Sequence, residues 1–265
     1  MNLPLILLKT YFIRNLLILS LLSVMFMNNL EYTYDKEETL NSLDKSIPNL
    51  KVILSRTYDD AEVESIILGM RSEFEALFPH ILFIGKDDNP LLGEYFIAIQ
   101  FLALYKELSK KGATARDVGK ILYDYRDYLS SQSSRLSNFI LYKMLFSSFV
   151  QKRNKKIVTK LNEANYPDNF KVEFVEGDGE NFNWGWNFYD CPVAKFYQKH
   201  GGDELLPYVC AADFAIYDKI KNLEFKRTQT IAHGADFCDL RFKKGGVPAK
   251  GWPPEELIEW KNSKA

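Results

Sequence analysis

The chain has 265 residues, of which 46% are hydrophobic and 14% aromatic, so it is long and apolar enough to bury a substantial core. Its 34 basic and 35 acidic residues nearly cancel, leaving a formal net charge of −1. This balance argues against a nucleic-acid partner, because nucleic-acid-binding proteins gather a basic surplus on one face. Three cysteines are an odd number, which excludes a complete disulfide framework within one chain.

Residues 1–30 form a hydrophobic N-terminal segment. Lys9 and Arg14 precede an uncharged, mostly apolar run over residues 16–27, which is shorter than the roughly 20 apolar residues of a membrane span. Three interpretations stay open: an N-terminal transmembrane helix that anchors the protein in a membrane through residues 1–27, a signal peptide, or a start of translation at a later methionine. We expect a cytoplasmic protein, with membrane anchoring through this segment as the alternative.

Residues 31–160 are predicted to form a helical region, because apolar residues recur at helical spacing in four segments. The predicted helices cover residues 59–78, 92–111, 114–130 and 134–156. Asp59 and Thr114 open the first and third helices as capping boxes, each with an acidic residue three positions later. Gly112 stands where a left-handed residue would end the second helix.

Residues 161–250 are predicted to form an α+β region that carries the candidate site, followed by a C-terminal tail over residues 251–265. Alternating and helical patterns follow each other in the order β-β-α-α-β-β, and the last two strands flank a turn at 232–236 as a hairpin. This order is typical of a small antiparallel sheet backed by helices. The fold class is therefore α+β with a helical N-terminal half, and residues 31–250 are expected to form one integrated domain.

Candidate chemistry is concentrated in the last third of the chain, where all three cysteines lie. The common nucleotide-binding, serine-hydrolase and zinc-protease motifs are absent from the sequence. The cysteines and histidines lack the spacing of a zinc site, so no metal-binding residues and no cofactor are predicted, and the metal requirement stays open. Cys210 and Asp213 are three residues apart and therefore share one face of a helix.

The stretch TIAHGADFCDLRF, at residues 230–242, gathers further reactive side chains around one turn. If its second half is a strand, Asp236 and Cys238 point to one face, and Asp239 and Arg241 point to the other. A cysteine with a cationic or basic neighbour can become a thiolate nucleophile. A buried, inert thiol is the alternative for each cysteine.

Several motifs resemble the L-2-amino-thiazoline-4-carboxylic acid hydrolase family, over residues 57–243. The matching residues are Cys191-Pro192, Leu206-Pro207 followed by Cys210 and Asp213, Arg227-Thr228 with Thr230, and Gly234 with Cys238, Asp239 and Arg241. The sequence departs from the family pattern at Leu240, where phenylalanine is usual, and at Ala235, where a second glycine is common. The terminal hairpin also looks like the end of vinyl-reductase-type ligand-binding domains.

This resemblance implies a small-molecule hydrolase that opens a cyclic amidine or isothiourea-type ring to a carbamoyl-cysteine-like product. A non-catalytic small-molecule binding or sensor module is the alternative. The residues expected to be catalytic are Cys210, Asp213, Cys238 and Asp239. The residues expected to bind the substrate are Asn187, Thr230, His233, Asp236 and Arg241. Activation of water by a carboxylate and attack by a cysteine are both open as routes, and so is the oligomeric state.

Overall fold

The computed structural model describes residues 33–86, 89–164, 166–248, 251–254 and 257. The predicted hydrophobic segment at 1–30, with its alternative of a transmembrane helix, lies outside the described residues, as does most of the predicted C-terminal tail. The described residues from Asp35 onward belong to one compact unit. Within the described part of the chain, no helix is both long and apolar enough to cross a membrane.

The N-terminal half is helical, as the sequence predicts. Its helices are α1 (Lys36–Leu54), α2 (Asp60–Leu77), α3 (Leu92–Ser109), α4 (Ala115–Ser131), α5 (Arg135–Leu145) and α6 (Ser148–Glu163). Helices α2 and α4 begin with the predicted capping boxes, in which Asp59 and Thr114 each accept a hydrogen bond from a backbone N–H three residues later. Gly112 has a φ of +88°, which confirms a left-handed residue after α3.

Two features of the helical half differ from the prediction. The four predicted helices do not include α1. Pro48 lies inside this helix, and an interior proline normally argues against a helix. The continuous helix predicted over 134–156 is wrong, since it is divided into α5 and α6. The Ser147 hydroxyl accepts a hydrogen bond from the Val150 N–H at 3.2 Å, and serine at this position favours the start of a new helix.

The C-terminal half combines a sheet with short helices. Its elements are β1 (Lys171–Glu176), β2 (Trp184–Asp190), α7 (Pro192–Lys199), α8 (Leu206–Ala211), α9 (Asp213–Tyr217), β3 (Leu223–Lys226) and β4 (Cys238–Lys244). The strands form one antiparallel sheet in the order β1-β2-β4-β3. The α+β class and the predicted order of elements are confirmed, except that the second predicted helix is divided into α8 and α9 at Ala212.

The sheet has one apolar and one more polar face. On the apolar face, the cross-strand pairs of β2 and β4 are Trp184 with Phe242, Trp186 with Leu240, and Phe188 with Cys238. The intervening pairs are Gly185 with Arg241 and Asn187 with Asp239. Because successive side chains point to opposite faces of a strand, these intervening pairs belong to the other face.

Helices cover the apolar face and share its core. Phe174, Trp186 and Phe188 pack against both hydrophobic clusters of the protein, one mainly helical and one built around the sheet. Helix α4 packs against α8 and α9. A Cβ at Gly119 would lie 2.4 Å from the Tyr208 side chain, so glycine permits the close approach of α4 and α8. The division of the chain into residues 1–30, 31–160, 161–250 and 251–265, with 31–250 as one integrated domain, stays a prediction.

The Gly185→Ala substitution should destabilise the sheet, because a Cβ at Gly185 would lie only 2.2 Å from the carbonyl oxygen of Leu240. Relief requires β2 and β4 to separate, so we expect a loss of about 2 kcal/mol or more in the free energy of unfolding. Urea denaturation measures this loss. Gly93→Ala in α3 is the matched control, since nothing lies within 4 Å of its added Cβ. Equal stability of the two variants would contradict the close strand contact.

Candidate active site

A cavity of about 250 Å³ lies between the apolar face of the sheet and helices α3, α4, α7, α8 and α9. Drug-sized ligands occupy pockets of roughly 300–1,000 Å³, so this cavity has room for a small metabolite. Aliphatic and aromatic side chains form most of its wall. All three cysteines and two pairs of oppositely charged side chains interrupt this apolar lining.

Three of the four residues predicted to be catalytic line this cavity together: Cys210, Asp213 and Cys238. Cys210 lies in the last turn of α8, and Asp213 begins α9. Although Ala212 separates the two helices, the spacing of three residues still brings both side chains to the cavity wall, as predicted from helical periodicity. Cys238 is the first residue of β4 and reaches the cavity from the apolar face of the sheet.

The Cys238 sulfur has a backbone hydrogen-bond donor. The Ile231 N–H donates to Cys238 Sγ at an N···S distance of 3.2 Å, and only 8% of the residue is exposed. Ile231 begins a 3₁₀ turn that ends at His233, in the connection between β3 and β4. A donor directed at a cysteine sulfur favours the thiolate over the thiol. The Ile231 N–H would therefore stabilise a negative charge on Cys238.

Asp213 is held at the cavity wall by Arg227. Arg227 Nη1 lies 3.0 Å from Asp213 Oδ2, and the arginine side chain is only 3% exposed. The same guanidinium donates to the carbonyl oxygen of Cys210 and lies 5.8 Å and 5.9 Å from the ring centroids of Phe214 and Phe225. These contacts connect α8 and α9 to the end of β3. They also satisfy the buried guanidinium, because a buried charge must be paired and hydrogen-bonded.

A second pair of opposite charges joins α3 and α4 at the cavity. Arg126 Nη2 contacts the carboxylate of Glu94, whose side chain is 52% exposed, whereas that of Arg126 is 12% exposed. Glu94 is therefore a lining residue whose side chain is also largely exposed to solvent. Arg126 Nε is buried and has no hydrogen-bond partner among the described residues. Since buried polar groups are normally paired, this N–H is available for an anionic group of a ligand.

Two further polar groups of the cavity wall keep their protons at neutral pH. Part of Cys191 faces the cavity, but the surrounding protein atoms bury its sulfur and raise the pKa of the thiol to about 12. Burial and, secondly, the negative charge of Asp213 raise the pKa of the Tyr217 phenol. Cys191 is therefore a protonated thiol and not a thiolate nucleophile. Tyr217 is a protonated phenol that can donate a hydrogen bond.

The other predicted site residues do not line this cavity. Asn187, Asp239 and Arg241 lie on the opposite face of the sheet, where Arg241 Nη2 donates to Asn187 Oδ1 at 2.7 Å. Asp239 is buried and accepts three hydrogen bonds of 2.8 Å, from the N–H and hydroxyl of Thr228 and from the N–H of Gln229. Asp239 thus anchors the chain that follows β3, away from the cavity.

Thr230, His233 and Asp236 lie in the connection between β3 and β4, also outside the cavity lining. Thr230 is fully buried, and its hydroxyl is 2.8 Å from His233 Nδ1, so the pair closes the local turn. His233 and Asp236 are exposed. The expectation that Asp236 shares a strand face with Cys238 is wrong, because β4 begins only at Cys238.

Sequence reasoning misses Glu94, Arg126 and Arg227 as residues of the cavity. Arg126 carries a signal that could have identified it, because it lies four residues after the buried Leu122 of α4. An arginine on the buried stripe of a helix needs a partner or a function. Arg227 belongs to the Arg-Thr-x-Thr motif, but only the fold brings it to Asp213.

Asp239→Ala should destabilise the protein rather than inactivate its site. The substitution leaves three hydrogen-bond donors without their acceptor, so we expect a loss of about 2–3 kcal/mol in the free energy of unfolding. Asp236→Ala, at an exposed position of the same connection, should change it by less than about 0.5 kcal/mol. Thermal and urea unfolding measure both changes. An Asp239→Ala variant of unchanged stability would contradict the anchoring role.

Cys191 should resist alkylation in the folded protein. With a pKa of about 12, the thiolate, which is the reactive form, is about one part in 10⁴ of the group at about pH 8. Iodoacetamide labelling followed by peptide mass spectrometry should therefore modify Cys191 at least about tenfold more slowly in buffer than in denaturing urea. Labelling of Cys191 at the same rate in both conditions would show that its sulfur is not buried.

Comparisons with known proteins identify the family of this chain. The family model for L-2-amino-thiazoline-4-carboxylic acid hydrolase matches residues 96–242, more than half of the chain, and this range contains Cys210, Asp213 and Cys238. The comparisons with curated proteins and with solved structures found no match. Among the described residues, no group of three or more His, Cys, Asp or Glu side chains is placed to hold a metal ion. The chain belongs to the L-2-amino-thiazoline-4-carboxylic acid hydrolase family.

Proposed function

We propose that this protein is a small-molecule hydrolase that opens the ring of a cyclic amidine or isothiourea carrying a carboxylate, with L-2-amino-thiazoline-4-carboxylate as the reference substrate. The observation that carries the proposal is the convergence of Cys210, Asp213 and Cys238 on one small cavity, inside the segment that matches the hydrolase family. A pocket with reactive and charged groups in an apolar wall is the expected form of such a site.

The charges of the cavity suit a substrate with both a cationic and an anionic end. The carboxylate of Asp213 would hold the amidinium group by charge-assisted hydrogen bonds. Arg126, with its buried N–H, would hold the substrate carboxylate at the end of the cavity beside Glu94. Arg241, which the family resemblance predicts to bind the substrate, contacts Asn187 on the opposite face of the sheet instead.

Cys238 is the proposed nucleophile, because it has the Ile231 N–H as a donor to its sulfur. Its thiolate attacks the ring carbon between nitrogen and sulfur, the ring C–S bond breaks, and the departing sulfur takes up a proton. Water then adds to the same carbon, the bond to Cys238 breaks, and the cysteine sulfur regains a proton. The sum of the steps is the addition of one water molecule, and the product is a carbamoyl-cysteine.

Asp213 and Tyr217 would support both steps. The Asp213 carboxylate, fixed by Arg227, orients the amidinium so that its central carbon faces Cys238, and orientation of this kind lowers the activation barrier. The Tyr217 phenol keeps its proton because burial raises its pKa, so it can donate a hydrogen bond to a departing heteroatom. In the competing route, a carboxylate activates water directly and Cys238 only packs against the substrate.

Non-catalytic binding of a small molecule is the second candidate function, and two observations favour it. The cavity wall is mainly apolar, and Asp213 is engaged by Arg227 at 3.0 Å. A carboxylate bound to a guanidinium is better suited to hold a cation than to remove a proton from water. Such a cavity would retain a ligand without converting it.

A turnover assay tests the hydrolase. The protein is incubated with L-2-amino-thiazoline-4-carboxylate, and carbamoyl-cysteine is followed by mass spectrometry. We expect Cys238→Ala to abolish product formation and Asp213→Asn to lower kcat/KM by about 10²–10⁴-fold. Asp127→Asn is the matched control, because Asp127 pairs with Lys219 and does not line the cavity. Circular dichroism verifies that each variant is folded.

The same assay separates the routes and the two candidate functions. An intact-mass increase that the substrate produces in the wild type but not in Cys238→Ala supports the covalent route. Turnover that survives Cys238→Ala and is lost in Asp213→Asn would support activation of water instead. A folded wild-type protein that binds the compound, by calorimetry, without forming product would contradict the hydrolase for this substrate and favour the binding module.

A further inference from the structure

Helix α5 and the start of α6 carry a concentration of exposed apolar side chains. These residues are Leu136, Phe139, Ile140, Leu141, Met144 and Phe149. Phe149 is 74% exposed and Leu136 67%, which is unusual for side chains of this size. Single exposed apolar residues are common on soluble proteins, but a cluster of them marks an interaction surface.

The helical geometry of α5 places Leu136, Phe139 and Ile140 on one face. Leu136, Phe139, Ile140 and Lys143 follow the i, i+3, i+4, i+7 spacing of one helix face. Among the residues of α5, Tyr142 is the one that is buried. An amphipathic helix of a globular protein normally turns its apolar stripe toward the core, whereas α5 turns this stripe toward solvent.

The same two helices carry a large excess of positive charge. Their basic residues are Arg135, Lys143, Lys152, Arg153, Lys155, Lys156 and Lys160, and Glu163 is their one acidic residue. Among the described residues, Lys155 is the basic side chain of this set that forms an ion pair, and its partner is Glu176 of β1. The Lys143 ammonium lies 5.3 Å from the centroid of the exposed Phe139 ring, so charge and apolar surface are adjacent in space. The chain as a whole has a net charge of only −1.

We propose that α5 and α6 form a peripheral binding surface for an anionic phospholipid bilayer. Helices that lie in the membrane interface combine Phe and Leu on one side with Lys and Arg on the other, and anionic headgroups attract clustered basic residues. A protein partner fits less well, because lysine is depleted from the cores of protein interfaces. The residues of this surface do not line the cavity, so the inference is independent of the proposed function.

Hydrogen exchange of the full chain tests this surface locally. The protein is mixed with vesicles of phosphatidylcholine and phosphatidylserine, or with vesicles of phosphatidylcholine alone, and amide exchange is followed by mass spectrometry. We expect exchange in peptides of α5 and the first turns of α6 to slow by about threefold or more with the anionic vesicles. Because the readout is confined to these helices, binding through any other segment does not produce it.

Matched variants complete the test. Phe139→Ser combined with Phe149→Ser should remove the vesicle-induced protection, and so should Lys152→Glu combined with Arg153→Glu. Leu68→Ser, at a 69% exposed position of α2, should leave it unchanged. All of these positions are exposed, so the melting temperature of each variant should stay close to that of the wild type.

Three results would overturn the proposal. The first is the absence of any protection of α5 and α6 by anionic vesicles. The second is equal protection by both kinds of vesicle, because the basic residues would then have no role. The third is protection that appears without vesicles and grows with protein concentration, since this would identify a second copy of the chain as the occupant.

Discussion

The alternation of side chains along β2 and β4 is the constraint on which the arrangement of this protein depends. It directs aromatic side chains and Cys238 toward the helices, and it directs Asn187, Asp239 and Arg241 to the other side. A one-residue change of register would exchange the two sets. The aromatic face is also what the helical half packs against, so the same alternation builds the core and selects which polar residues reach the cavity.

Charge placement in the cavity follows from the cost of burying an ion. Asp213 and Arg227 meet where α9, α8 and the end of β3 come together, and each neutralises the other inside an apolar wall. The second pair, Glu94 and Arg126, is only half withdrawn from water. Of the four charged side chains, that of Glu94 is the most exposed, at 52%.

Local signals predicted the secondary structure where side chain and backbone interact within a few residues. The capping boxes at Asp59 and Thr114 are of this kind, because their donors and acceptors lie three positions apart. Prediction failed where packing outweighs a local signal. Helix α1 persists across Pro48, and the helix predicted over 134–156 is divided into α5 and α6. Neither outcome can be read from periodicity alone.

The sequence by itself determined the α+β class, the order of its elements, the resemblance to a hydrolase family and the choice of Cys210, Asp213 and Cys238 as candidate site residues. These properties depend on local spacing and on motifs that lie close together in the chain. Only the tertiary structure decided which face of the sheet borders the cavity, so that Cys238 reaches it and Asp239 and Arg241 do not, and that arginines of α4 and of the segment after β3 lie beside it. The physical reason is that neighbours across a cavity are brought together by packing between elements far apart in sequence, which no local pattern records.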